Sequence, residues 1–285
     1  MAATHSNIVA FLLTTYVYYI AIKPKLTFDK VSDQNQYTKF IKSNYTSLAI
    51  YLLLVMVIQC IINTNVVNAT CGGNFSENIG FAGVLTIWPW TLIFGVLMII
   101  LTINPGFKSA FSDVIGYYWI ANSSNKIMTE LLINKEIQPK IDADGSLSSE
   151  AKKQMQSAAD AIIKIFGNTG MIINQVTPRN FEQFWNTLTP LMKNEYKPNN
   201  GKLSDETISK RDKLFGLIIS KDNVGEALWY IYTGLLVTSI VQLKISSKGC
   251  NTNVKTMEQK YATFQANEAK VAEKNQSAQT QIYTM

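Results

Sequence analysis

The sequence predicts an all-α polytopic membrane protein, with about four transmembrane helices and a small helical soluble domain between spans three and four. Three observations predict it. The apolar residues are gathered into four clusters, in a chain whose mean hydropathy is only +0.05. Charged residues make up 16% of the chain, against roughly 25% in soluble domains. Between the third and fourth clusters lies a long polar stretch, residues 104–226, with fifteen Lys and Arg. A chain loses charge where lipid replaces water, because an unpaired charge in hydrocarbon costs several kcal/mol.

The first span is residues 7–22, NIVAFLLTTYVYYIAI, without a charge. It is short for a span of about 20 residues. No basic segment precedes it and no small-x-small site follows, so it reads as a retained anchor rather than a cleaved signal. Tyr16, Tyr18 and Tyr19 suit an interface. The second span is residues 48–62. The third, residues 81–103, carries Trp88, Pro89 and Trp90. Pro89 is expected to kink it, because proline removes a ladder donor and crowds the preceding turn. The fourth is residues 227–245, with Trp229, Tyr230 and Tyr232 at one end and Lys244 at the other. Residues 1–103 thus form a membrane region, residues 104–226 the soluble domain, and residues 246–285 a polar tail.

Basic residues choose the orientation. The loop after the first span holds Lys23, Lys25, Lys30, Lys39 and Lys42. The loop after the second, residues 63–80, holds no Lys or Arg. The positive-inside rule places the first loop in the cytosol and the second outside it. Four spans then put residues 104–226 on the cytosolic face.

Within that segment three helix starts are legible. Ser148 or Ser149 can cap a helix over residues 152–166. Thr177-Pro178 reads as a cap followed by proline at the first helical position. The helix that follows has Phe181, Phe184, Trp185, Leu188, Leu191 and Met192 on one stripe. Ser204 caps a third helix, whose first turn holds Asp205 and Glu206 against the dipole.

Little chemistry is indicated. The only histidine is His5, and Cys60, Cys71 and Cys250 show no CxxC spacing. No Walker loop, nucleophile elbow or HExxH occurs. Asp142-Ala-Asp-Gly-Ser resembles part of a calcium loop, but Lys140 stands at the first ligand position. We therefore expect no enzyme activity, cofactor or metal. The net charge of +6 suits anionic lipid headgroups or an acidic protein. Without a dense Lys/Arg block, nucleic acid is not an expected partner. No ionisable residue lies inside a span away from its ends, which argues against proton-coupled transport. Cys71 and Cys250 fall on the same side of the membrane. They either form a disulfide or remain two free thiols.

The most distinctive run follows the third span: Asn104-Pro-Gly-Phe-Lys-Ser-Ala-Phe-Ser-Asp-Val-Ile-Gly-Tyr117. Pro105-Gly106 ends the helix and turns the chain. Lys108 suits headgroup level, and Phe107, Phe111, Tyr117, Tyr118 and Trp119 form an interfacial aromatic cluster. Residues 104–120 are therefore an expected interfacial segment. A span followed by Pro-Gly, an aromatic, Lys-Ser, Phe-Ser and Gly-Tyr resembles the membrane-embedded minor capsid proteins of nucleocytoplasmic large DNA viruses, over residues 87–118. The resemblance implies a structural protein of the virion inner membrane, beneath the capsid. It would bind the bilayer and capsid or minor capsid proteins, with self-association as a further option. Contact residues are expected at Pro105, Gly106, Phe107, Lys108, Phe111, Tyr117 and Trp119, and at Phe181, Phe184 and Trp185. Two alternatives are a small channel or transporter lined by Thr14, Thr15 and Gln59, and a component of a viral entry–fusion complex that requires Cys71 oxidised.

Overall fold

The computed structural model describes residues 2–72, 74–132, 150, 169–248, 258 and 261–272. It is 89% helical, with no strand among the described residues. The elements follow from the chain in order. α1 (Ala2–Val17) runs into a π-helical turn, Tyr18–Ile22. α2 (Phe28–Ser32) is a short connector. α3 (Gln34–Cys71) is capped by Asp33, whose carboxylate accepts from the backbone N–H of Asn35 and Gln36. Gly72, at φ 68°, ends α3, a conformation glycine adopts without a Cβ clash. α4 (Phe75–Pro89) begins at once, with Asn74 and Glu77 forming a capping box. It continues through a π turn, Trp90–Gly95, into α5 (Val96–Ile103).

Among the described residues four helices are long and apolar enough to cross a membrane: His5–Ile22, Gln34–Cys71, Phe75–Ile103 and Asp205–Ser247. They contain the four apolar runs legible in the sequence. The helices overshoot those runs. Residues 63–71 and 75–80, read as loop, are helical, because only Gly72 to Asn74 carries helix-breaking and capping chemistry. Pro89 sits inside its helix, and a π turn follows it immediately.

Beyond α5, a 3-10 turn (Pro105–Lys108) leads to α6 (Ser109–Phe111), a π turn (Ser112–Gly116) and α7 (Tyr117–Leu131). After the segment that is not described come α8 (Thr169–Gln175) and α9 (Phe181–Leu188). The expected helix over residues 152–166 and the calcium-like loop lie outside the described residues, except Glu150. The Thr177 hydroxyl accepts from the Asn180 N–H at 3.4 Å, as a cap would. Regular helix starts only at Phe181 and stops at Leu188, where Thr189–Leu191 tightens to 3-10 geometry around Pro190. Ser204 caps the last helix as expected, its Oγ accepting from the Thr207 N–H at 3.2 Å. That helix, α10 (Asp205–Lys248), is 44 residues long, roughly 66 Å at the α-helical rise. Residues 261–272 are also helical and exposed throughout.

Two hydrophobic cores result among the described residues. The first lies among the four apolar helices and is dominated by aromatic rings. Phe11, Tyr18, Tyr51, Trp90, Phe94 and Tyr230 are all essentially inaccessible. The Tyr18 and Tyr51 rings stack at 4.4 Å, and Trp90 and Phe94 pack edge-on at 5.1 Å. Gly234 lies under the Phe11 ring, where a Cβ would stand 2.1 Å from the ring tip. The outside of this bundle is apolar: Leu13, Leu53, Val57, Val84, Leu92, Ile99 and Leu243 are exposed. Such a belt is far larger than a water-soluble surface tolerates, and suits lipid. The second core joins Ile120, Met128 and Leu131 of α7 with Ile173, Phe181, Trp185 and Met192, and with Leu214, Phe215 and Ile218 of α10. Leu26, Phe28 and Val31 close its edge.

Candidate functional site

One face of α10 runs through both cores. Leu214, Phe215 and Ile218 serve the soluble core, whereas Tyr230, Val237, Val241 and Ile245 serve the apolar bundle. Between them the same face carries Lys221, Asp222, Gly225 and Glu226. This break in apolar character is where the rest of the chain is fastened.

Glu226 is 6% exposed. Lys23, just after the π turn of α1, donates to its Oε1 at 2.5 Å. Lys108, just after α5, stands 2.6 Å from its Oε2 and donates to Asp222 Oδ2 at 3.0 Å. The Tyr19 hydroxyl donates to Glu226 Oε1 at 3.1 Å. One turn earlier Lys221 reaches the opposite way. It donates to Asp113 Oδ1 at 3.4 Å and to the carbonyls of Ile173 and Asn174 at 3.0 and 3.1 Å. Three cations (Lys23, Lys108, Lys221) thus meet three anions (Asp113, Asp222, Glu226), so the collar is neutral.

The two lysines on Glu226 are held differently. Burial pulls the Lys23 ammonium below the ordinary lysine range, and the nearby Glu226 carboxylate only partly offsets this. Burial also opposes charge on Lys108. There the joint attraction of Glu226 and Asp222 outweighs it, so Lys108 is raised above the ordinary range. A desolvated charge is tolerated only with such matched partners.

Small residues permit the close approach. A Cβ on Gly225 would meet Ser112 Cβ at 2.7 Å and the Lys108 carbonyl at 2.8 Å. A Cβ on Gly116 would meet the Lys221 carbonyl at 2.6 Å. The Trp229 indole donates to the Phe107 carbonyl at 2.8 Å, and its ring packs edge-on against Phe111 at 5.1 Å. The Pro105–Gly116 stretch is therefore docked along α10. Chemically the arrangement is a clamp, which holds the ends of α1 and α5 at one level of α10.

The residues singled out in the sequence divide accordingly. Phe107 and Trp119 are exposed, at 55% and 74%, beside Val114, Ile115 and Tyr118. Gly106 is exposed, and Pro105, Phe111 and Tyr117 are half-buried. Lys108, expected at a headgroup, is 12% exposed and spent on the collar. Phe181 and Trp185 are buried in the soluble core, at 0% and 4%, and Phe184 packs against its edge. The first two are thus core residues rather than surface contacts. Thr14, Thr15 and Gln59 are buried as well. The hydroxyls of Thr14 and Thr15 donate to the carbonyls of Ala10 and Phe11, and Gln59 donates to the Asn7 carbonyl. Cys71 is disulfide-bonded and Cys60 is a free thiol, while Cys250 lies outside the described residues.

In the sequence Lys23 reads as a topology signal and Glu226 as the last residue before the fourth span, and nothing local pairs them. One signal could have found the collar. The predicted topology already puts Lys23, Lys108 and Glu226 at the same end of their spans, where opposite charges would meet. Among the described residues no group of three His, Cys, Asp or Glu could hold a metal. No protein-family model, curated protein or solved structure matches the chain.

Proposed function

We propose that this chain is a structural membrane protein that links a viral inner membrane to the minor capsid layer during assembly. One observation supports it above the others: α10 is a single helix shared by the apolar bundle and the soluble core, and the ion collar locks it at the boundary. α10 is continuous between them, so a load placed on the soluble domain would pass along that one helix into the bundle. A tether needs that continuity. The bilayer would meet the exposed face of Phe107, Val114, Ile115, Tyr118 and Trp119, which continues the apolar belt of α5. The capsid partner would meet the far side of the soluble domain. The sequence resemblance supplies the identity of that partner.

The test is cross-linking mass spectrometry on intact source particles, read at the exposed Lys126, Lys202 and Lys213. The expected result is cross-links from these lysines to capsid or minor capsid proteins. Cross-links only to copies of itself or to unrelated membrane proteins would overturn the tether.

A second reading, a component of an entry–fusion complex, is favoured by the disulfide bond of Cys71, since that role would place working surface in the oxidising compartment. It predicts that an antibody against residues 72–80 blocks entry of intact particles, whereas a tether is indifferent to it.

A further inference from the structure

We propose that the apolar bundle holds a small cluster of internal water molecules, one layer below its aromatic core, hydrogen-bonded to all four apolar helices. This goes beyond the tether reading and does not depend on it.

The argument starts from a polar layer. Asn63 of α3 accepts at Oδ1 from Asn7 of α1 at 3.1 Å and from Gln242 of α10 at 2.8 Å. Its amide donates to Thr86 of α4 at 2.8 Å. One turn away is an aromatic layer, in which Phe11 packs on Trp90 at 5.3 Å and covers Gly234. The helical register ties the two layers together. Asn7 and Phe11, Gln59 and Asn63, Thr86 and Trp90 are each four residues apart, and Thr238 lies midway between Gly234 and Gln242. All these pairs share one face of their helices.

On these same helix faces four buried polar atoms have no hydrogen-bond partner: Asn7 Oδ1, Gln59 Oε1, Trp90 Nε1 and Thr238 Oγ1. They come from all four apolar helices; the Tyr18 hydroxyl, also unpartnered, lies about three turns further along the first. The four residues are 0%, 1%, 0% and 2% exposed. Amide orientation does not remove the problem. Gln59 Nε2 donates to the Asn7 carbonyl at 2.9 Å, and Asn7 Nδ2 is committed to Asn63, so both free atoms are acceptors. In hydrocarbon the lipid cannot satisfy them.

The set identifies its ligand. Two carbonyl oxygens accept, one indole N–H donates and one hydroxyl does either. A cation would be repelled by the indole N–H, and an anion by the two carbonyl oxygens. Water donates and accepts, and buried water usually makes two to four such bonds. The cluster links the four helices in register at a level where direct side-chain bonds run out.

The test uses the full chain in lipid nanodiscs with ¹⁵N-labelled tryptophan. The Trp90 indole signal is assigned by its loss in Trp90→Phe. The expected result is magnetisation transfer from water to that buried N–H, reduced in Thr238→Val and kept in Thr238→Ser. The melting temperature should fall in Thr238→Val and hold in Thr238→Ser. No transfer in the wild-type protein would overturn the proposal, because the layer would then be dry. In a dry layer Thr238→Val should raise the melting temperature, by removing an unsatisfied hydroxyl.

Discussion

Lys108 and Glu226, far apart in sequence, stand 2.6 Å apart between the two hydrophobic cores. Glu226 also holds Lys23, so one carboxylate fastens the end of α1 and the end of α5 to the middle of α10. Removing it should be costly. Glu226→Leu leaves Lys23 without its carboxylate and Lys108 with Asp222 alone. Breaking a buried pair from one side costs about 3–5 kcal/mol. The paired change Lys23→Met with Glu226→Leu should cost less than Glu226→Leu alone. Thermal unfolding in detergent checks both, and a double variant no more stable than the single one would contradict the collar's role.

The helix crossing depends on the absence of a side chain at Gly225. Gly225→Ala would push Cβ to 2.7 Å from Ser112 Cβ and 2.8 Å from the Lys108 carbonyl. Backbone cannot swing aside as a side chain can, so α6 must lift from α10. The expected loss is about 1–3 kcal/mol. Gly106→Ala, which meets nothing within 4 Å, is the control and should leave the melting temperature almost unchanged.

The two lysines of the collar should titrate apart. Lys23, lowered by burial, gives up its proton below the ordinary lysine value, and Lys108, raised by Glu226 and Asp222, keeps its proton above it. The stability signs follow. Between its folded and unfolded values Lys23 binds more protons when unfolded, so its contribution rises with pH. The contribution of Lys108 is complete below its unfolded value and is lost as pH climbs towards its raised folded value. ¹³C-methyl labelling of lysine amines, followed by NMR titration with single Lys→Arg assignments, should show Lys23 moving first. The reverse order would refute the assignment.

Trp119 and Trp185 should report opposite environments. Trp119 is 74% exposed on the face that continues the apolar belt, whereas Trp185 is buried in the soluble core. In single-tryptophan variants reconstituted with brominated lipids, Trp119 fluorescence should be quenched strongly and Trp185 hardly at all. Equal quenching would remove the interfacial placement of residues 104–120.

Much of the helical framework was legible. An uninterrupted apolar run of the right length is a local property, so the four long apolar helices could be read residue by residue. The Ser204 cap was equally local: one hydroxyl placed three residues before an orphan N–H. Helix lengths were less legible. Residues 63–71 look like loop because they are polar, yet nothing before Gly72 breaks a helix, and Asn63 and Thr64 are polar because they face inward.

The residues expected to contact a partner illustrate the limit. Phe181 and Trp185 lie on an apolar stripe, and a stripe does not say whether a core or a partner will cover it. Only the packing of Leu214, Phe215 and Ile218 against them decides for the core. Lys108 reads as a headgroup residue from its place just after a span, and only the approach of Glu226, distant in sequence, makes it an ion-pair partner.

By itself the sequence determined the class of the protein: a mostly helical chain with four helices apolar enough for a bilayer. Hydrophobicity and capping act over a few residues, so a linear reading can see them. The tertiary structure alone decided that both cores share α10, that six charges cancel at the boundary, and that each of four helices buries a polar atom without a partner. These depend on which distant side chains become neighbours, and on how close Gly116, Gly225 and Gly234 let the backbones come.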